Sequence, residues 1–291
     1  MAKIIVPVDF SDCSENNCKF SLELATRLGA EIVLLHCFNE NSNFPVLAYM
    51  DNASVAYQIN SPLQTADEEE TKNALDSFLA NLKKMQDKLG FHDVVVRQEI
   101  VYGTPAEEII CFCNDENPDL LLLSTQSTGD KVKKILGSLS YHLLTSVNVP
   151  VLVIPRDVEL TFSKSIKIAF VSRFEENELK SLNRLIRLVS VFNASLTILH
   201  VGSLHDEEKY IAQLSLIQKQ LSSFYKKHNV NFELINNVDW IEGIKNYSTQ
   251  NNIDIISFTS KRRSFFSQFF NPGITKNLLF EYDKPLLVFH T

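Results

Sequence analysis

Leu120-Leu121-Leu122-Leu123-Ser124-Thr125-Gln126-Ser127-Thr128-Gly129 is the stretch whose reading decides the fold. Four consecutive leucines behind Pro118-Asp119 read as a strand buried on both faces, because a strand with one solvated face would alternate. The small polar residues that follow form a loop. Beyond it Lys131, Lys133 and Lys134 read as a helical segment, Gly137-Ser138 opens a second helix, and Val149 to Pro155 is a second apolar strand. A buried strand that empties into a small-residue loop and then a helix presents free backbone N–H groups and the positive end of a helix dipole, an arrangement suited to phosphate.

Toward the N-terminus the same alternation continues. Lys3 to Phe10 is an apolar strand, Ser11 and Asp12 cap a helix with an apolar stripe of Cys18, Leu22, Ala25 and Leu28, and Gly29 stops it. Glu31 to Phe38 is the second strand. After a polar stretch to about Thr65 comes a long amphipathic helix, with Asp67 to Glu70 placed at its start and Gly90 at its end. Val94 to Val101 is the third strand, and Thr104-Pro105-Ala106-Glu107 reads as a capping box with proline at the first helical position. Strands alternating with helices imply an α/β fold with parallel strands, helices on both faces and right-handed crossovers.

The second half repeats the first. Lys3 to Phe10 matches Lys167 to Phe174 and Ala30 to His36 matches Ala194 to His200, both at an offset of 164. Asp119 matches Asp254, and Val149 to Val153 matches Lys284 to Val288, both at an offset of 135. The difference, 164 − 135 = 29, is extra sequence in the first copy between its second and third strands. It falls on residues 39–65, where Phe44, Leu47, Tyr49, Met50, Tyr57 and Ile59 are too many large apolar groups for a solvated linker. This insertion is expected to fold back as a lid or to pack across the two copies. The expected domains are residues 1–157, with the 39–65 insertion, and residues 164–291, joined by a linker from Arg156 to Ser165.

Composition narrows the function. The 291 residues carry a net charge of −7 and 45% hydrophobic residues, enough for two cores, and neither a nucleic-acid surface nor an anionic-membrane face suits that charge. No run of eighteen apolar residues occurs, and the first strand begins too early for a signal peptide, so a cytoplasmic location is expected. The five cysteines, Cys13, Cys18, Cys37, Cys111 and Cys113, have no metal-ligand spacing and read as reduced thiols. His36 and His200 occupy matching strand positions and read as core histidines with backbone partners. No Gly-x-Ser-x-Gly elbow, Walker-type loop or HExxH motif is present, so no catalytic residue is assigned and the chain is read as non-catalytic.

Ile4-Ile5-Val6-Pro7-Val8-Asp9-Phe10-Ser11, Ile32-Val33-Leu34-Leu35-His36-Cys37, Gly103-Thr104-Pro105-Ala106-Glu107-Glu108-Ile109, and Gly137-Ser138 with Pro150 to Pro155 resemble the universal stress protein family in its tandem form. The resemblance implies two doubly wound five-stranded domains of the adenine nucleotide alpha hydrolase-like class. They would be packed as an internal pseudo-dimer through Val149–Pro155 and Pro285–His290. It implies a stress-response role, with ATP or AMP as ligand, magnesium accompanying ATP, and no resident metal. A homodimer and an unidentified protein partner are the further associations it leaves open. Candidate nucleotide contacts are Pro7, Val8, Asp9, Cys37, Ser124, Thr125, Ser127, Gly129, Gly137 and Ser138.

Binders in the family carry Gly-x2-Gly-x9-Gly followed by Ser or Thr; here Ser124 and Ser127 stand at the first two glycine positions, and only Gly137-Ser138 keeps the pattern. A serine forced into the left-handed region costs about 1–2 kcal/mol, so the reading is a weakened site. In the second copy Arg173 replaces Asp9, Arg262 stands at Ser127, Thr259 at Ser124 and Pro272 at Gly137. That copy reads as degenerate. The alternatives are a nucleotide-free scaffold acting through a protein partner, or a different small ligand beneath the 39–65 lid.

Overall fold

The computed structural model describes residues 2–38, 62–124, 126–127, 134–135, 138–155, 158, 165–173, 178–192, 194–202, 211, 215, 219, 230–237, 239–260 and 284–290. Strands β1 (Ala2–Pro7), β2 (Ala30–Phe38), β3 (Val96–Tyr102), β4 (Leu120–Ser124) and β7 (Val151–Ile154) belong to the first half. They alternate with helices α1 (Asp12–Leu28), α2 (Pro62–Leu89), α3 (Pro105–Glu116) and α4 (Ser138–Ser146), and β5 (Gln126–Ser127) and β6 (Lys134–Ile135) form a small hairpin. The second half supplies β8 (Ile166–Val171), α5 (Glu178–Val191), β9 (Ala194–Gly202), β10 (Val230–Asn236), α6 (Trp240–Gln250), β11 (Ile255–Ser260) and β12 (Leu286–His290).

One ten-stranded sheet carries both halves, in the order β10-β9-β8-β11-β12-β7-β4-β1-β2-β3. Each half therefore contains its strands in the order 3-2-1-4-5, and each has one point, between its first and fourth strands, where the winding reverses. Within this sheet the pairings inside each half are parallel, and β7 and β12, where the halves meet, run antiparallel. Parallel strands covered on both faces have no solvated side, which is why the strands nearest the middle read as unbroken apolar runs. Successive residues go to opposite layers: Ile4 and Val6 lie in one core with α1, α2 and α5, and Ile5 in the other with α3, α4 and α6.

Register makes the internal repeat quantitative. Ala2 faces Ala30 and Ile166 faces Ala194, while Ile4 faces Leu120 and Ile168 faces Ile255, the same pairs under offsets of 164 and 135. The amino ends repeat as well: the Lys3 amide donates to Asp119 at 2.9 Å, and the Lys167 amide to Asp254 at 2.8 Å. At the joint Leu152 faces Leu287, its own counterpart at 135, so the antiparallel pairing is symmetric about that position.

Several expectations need correction. Ile32 faces Val96 and Leu196 faces Val230, so the third strand matches at 230 − 96 = 134, and the first copy is longer here by 164 − 134 = 30 residues, not 29. The missing residue returns between β10 and α6, where Asn237 and Val238 separate the strand from the cap Asp239, against Gly103 alone between Tyr102 and the cap Thr104. Gly103 makes the shorter turn with φ of 144°, a conformation L side chains rarely adopt. The lysine-rich segment is not wholly helical: Lys134 lies in β6, and Lys131 and Lys133 lie outside the described residues. The 39–65 lid lies outside them too, save Pro62 to Thr65, which form the first turn of α2. Because α2 starts that early, Asp67 to Glu70 fall beyond its first turn, where the helix dipole acts most. Thr104 caps α3 through its backbone only, its side chain making no cap bond, so the capping box is not formed.

Candidate functional site

In a doubly wound sheet the crevice lies beyond the carboxyl ends of the two strands between which the winding reverses. In the first half these are β1 and β4, and the residues at their ends are Pro7, Val8, Asp9 and Ser124. Asp9 is exposed, and its Oδ1 accepts three bonds, from the Ser11 amide at 3.1 Å, the Ser11 hydroxyl at 2.5 Å and the Ser14 hydroxyl at 2.6 Å. Its own amide donates to Ser14 Oγ at 3.0 Å. Burial alone would raise the Asp9 carboxyl, but the bonds from Ser11 and Ser14 outweigh it and hold the group below the ordinary aspartate value. The result is a fixed, ionised carboxylate whose Oδ2 takes no part in these bonds.

Beside it, His36 locks the strand end. His36 Nδ1 lies 2.8 Å from the Val8 carbonyl oxygen, and the ring stacks on Phe10 at 4.5 Å between centroids. Phe10 has a φ of 61°, unfavourable for a bulky residue, and is held there between His36 and Phe78, whose ring centroid is 5.9 Å away. Val8 is buried, and its amide donates to the Leu35 carbonyl at 2.9 Å, so both its backbone groups are engaged within the protein. Pro7 contributes no N–H and pairs with Leu35 as the last residue of β1.

Cys37 sits near the carboxyl end of β2 opposite Val101, half-buried, with its thiol 3.9 Å from the Pro105 carbonyl. Burial, with the Glu108 carboxylate adding to it, pushes that thiol up to about 12, so it is no nucleophile at neutral pH. Ser124 ends β4, and its carbonyl accepts from Ser140 Oγ of α4 at 3.2 Å, which ties the loop's beginning to the helix after it. Ser127 lies in β5 opposite Lys134, and Ser138 is the first residue of α4. Thr125, Gly129 and Gly137 lie outside the described residues. Asp9, Val8 and Ser124 thus share the two strand ends at the reversal, whereas Cys37 stands on the next strand over.

Sequence reasoning missed Ser14 and the left-handed Phe10. Ser14 could have been found by alignment of the copies: the offset of 164 that turns Asp9 into Arg173 also turns Ser14 into Glu178. In the second half the Arg173 amide donates to Glu178 Oε1 at 3.0 Å, Ser172 Oγ donates to Glu178 Oε2 at 2.6 Å, and His200 Nδ1 lies 2.8 Å from the Ser172 carbonyl oxygen. Glu178 and His200 are buried. Burial lowers the His200 pKa, a hydrogen bond with the Ser172 backbone partly opposes this, and the Arg173 charge lowers it further. Among the described residues, no cluster of three or more His, Cys, Asp and Glu side chains has metal-binding geometry, and no helix is long and apolar enough to cross a membrane.

Comparison with known proteins agrees with this architecture. A solved universal stress protein from Archaeoglobus fulgidus superposes with a TM-score of 0.71 at 16% identity, covering 99% of this chain and 98% of that one; at that identity the likeness speaks for the fold. Two universal stress proteins of Methanocaldococcus jannaschii are 30% identical over 161 residues and 27% identical over 154 residues, each match covering 53% of this chain and, respectively, 94% and 82% of the relative. The model of the universal stress protein family matches residues 1–155, the whole of β1 to β7 with the reversal between β1 and β4. With the motifs, the strand order and that match in agreement, the chain belongs to the universal stress protein family.

Proposed function

We propose that the first half holds an adenine nucleotide, ATP or AMP, weakly in the crevice at the β1 and β4 ends and performs no chemistry on it, so that occupancy itself is the signal. The observation that carries this reading is Asp9: an exposed carboxylate at the winding reversal, oriented by Ser11 and Ser14, with one oxygen outside those bonds. An acceptor of that kind suits the hydroxyls of a ribose or the amino group of a base and repels phosphate. The phosphates would lie toward Ser124, Thr125, Ser127, Gly129 and the start of α4 at Gly137 and Ser138, where helix N–H groups are unpaired by the helix itself. Serines at two glycine positions lower the expected affinity by about two to three powers of ten.

Calorimetric titration with ATP, ADP and AMP, with and without magnesium, tests this. Binding in the high micromolar to millimolar range is expected, and Gly137→Pro should abolish it. No heat and no thermal shift at millimolar nucleotide would overturn the reading, and unchanged affinity in the Gly137→Pro protein would move the site elsewhere. A second reading, a scaffold that works through a protein partner, is favoured by the same Asp9 bonds, because they tie the residue to Ser11, which caps α1, and to Ser14 in its first turn, a structural role that needs no ligand. The domain boundaries near residues 157 and 164 belong to this proposal, with the 39–65 insertion as the segment that would respond to occupancy.

A further inference from the structure

His290, the last residue of β12, is buried and reaches out of the second half into the first. Its Nδ1 lies 3.0 Å from the Val149 carbonyl oxygen and its Nε2 lies 2.7 Å from the Leu144 carbonyl oxygen. Both of these carbonyl oxygens can only accept. A neutral imidazole has one N–H, so its other nitrogen would set a lone pair against a carbonyl lone pair where no water can intervene. The doubly protonated ring donates to both oxygens. Leu144 belongs to the last turn of α4, whose carbonyls lack intrahelical partners and whose dipole favours a cation.

The contact is one-sided: the counterpart of His290 at the offset of 135 is Pro155, which has no ring nitrogen to offer in return. We propose that His290 is a protonation-dependent latch between the halves, which as an imidazolium ties β12 to the end of α4 and the lead-in of β7, and which loosens on losing its proton. The neighbouring elements β7, β11 and β12 carry no other titratable side chain. On α4 the titratable residues are Tyr141 and the exposed His142, and Lys284 precedes β12; none of these elements carries a carboxylate.

The test is a long-range proton–nitrogen NMR titration of the intact chain with labelled histidine. His290 is assigned by loss of its signal in His290→Gln or, should that variant not fold, by elimination using substitutions at His36, His92, His142, His200, His205 and His228. At pH 7.5 an ordinary histidine is about one-tenth protonated; the His290 ring should remain mostly protonated at both nitrogens. Because the folded state then holds the extra proton, the urea midpoint should fall between pH 6 and pH 8, and fall less in His290→Gln. A ring that is neutral at pH 6, or a midpoint whose pH response is the same in both proteins, overturns the proposal.

Discussion

At the end of β1 the Asp9 amide donates to the Ser14 hydroxyl, and at the end of β8 the Arg173 amide donates to the Glu178 carboxylate, both at 3.0 Å. The positions are the same under the offset of 164 and the backbone bond is the same, but the carboxylate has moved from the strand-end position to the helix position, and an arginine stands where it was. Next to each, a histidine Nδ1 meets the preceding carbonyl at 2.8 Å, from His36 in one half and His200 in the other. What both halves keep is the tie between the strand end and the helix start, because that tie aims the following helix. What they do not share is the charge of the exposed residue at the strand end: negative at Asp9, positive at Arg173. The first half keeps an exposed carboxylate at the winding reversal, whereas the second has its carboxylate at a buried position, where it accepts from the Arg173 amide and the Ser172 hydroxyl.

The joint should give the largest effects and the most equal ones. Leu152 and Leu287 face each other at equivalent positions, 3% and 5% exposed, so Leu152→Ala and Leu287→Ala should each cost about 2–4 kcal/mol, alike, by urea denaturation. Unequal costs would mean that the joint is not symmetric in packing. The strand-to-helix tie should then separate the halves: Glu178→Ala removes charged acceptors from a buried hydroxyl and an amide and should cost about 2–3 kcal/mol, against about 1 kcal/mol for Ser14→Ala. Equal losses would show that the second half has not come to depend on its carboxylate.

The smallest effect is in pH. A folded-state pKa lowered at His200 means that the unfolded chain binds more protons, so stability from this group falls as pH drops below about 6.5, with a slope of at most about 1.4 kcal/mol per pH unit. The His200→Gln protein should lose that slope in denaturation midpoints between pH 5 and 7. Its sign is opposite to the one expected from His290, so the two variants distinguish the groups.

Much of the fold was legible because burial on both faces and the three-to-four spacing of helix stripes are properties of the chain itself. Gly29, at φ of 60°, ends α1 as its position suggests, and Cys111 and Cys113, two apart on α3, are exposed and buried respectively. The 29-residue difference missed by one because offsets were taken at strands flanking β3, and the compensating residue hides in the β10 to α6 turn, where no apolar period marks it. Lys134 read as helical because a two-residue strand such as β6 is too short to display its own period. The placement of Asp9 and Ser124 at the strand ends beside the winding reversal was legible. Val8 was only half legible, since nothing local reveals that its carbonyl is taken by a histidine 28 residues away.

The sequence by itself determined the alternation of strands and helices and the two copies, since each is a local pattern or a comparison of the chain with itself; the family, and Ser124 and Ser127 at its glycine positions, came from the likeness of its motifs. Only the tertiary structure decided which oxygen of Asp9 is occupied, that Glu178 answers Arg173 from a buried position, and that His290 lies between two carbonyls of the other half. Those facts depend on where hydrogen-bond donors and acceptors meet after residues up to 146 positions apart have been brought together. A lone pair has no period in the chain, so its partner becomes visible only in the fold.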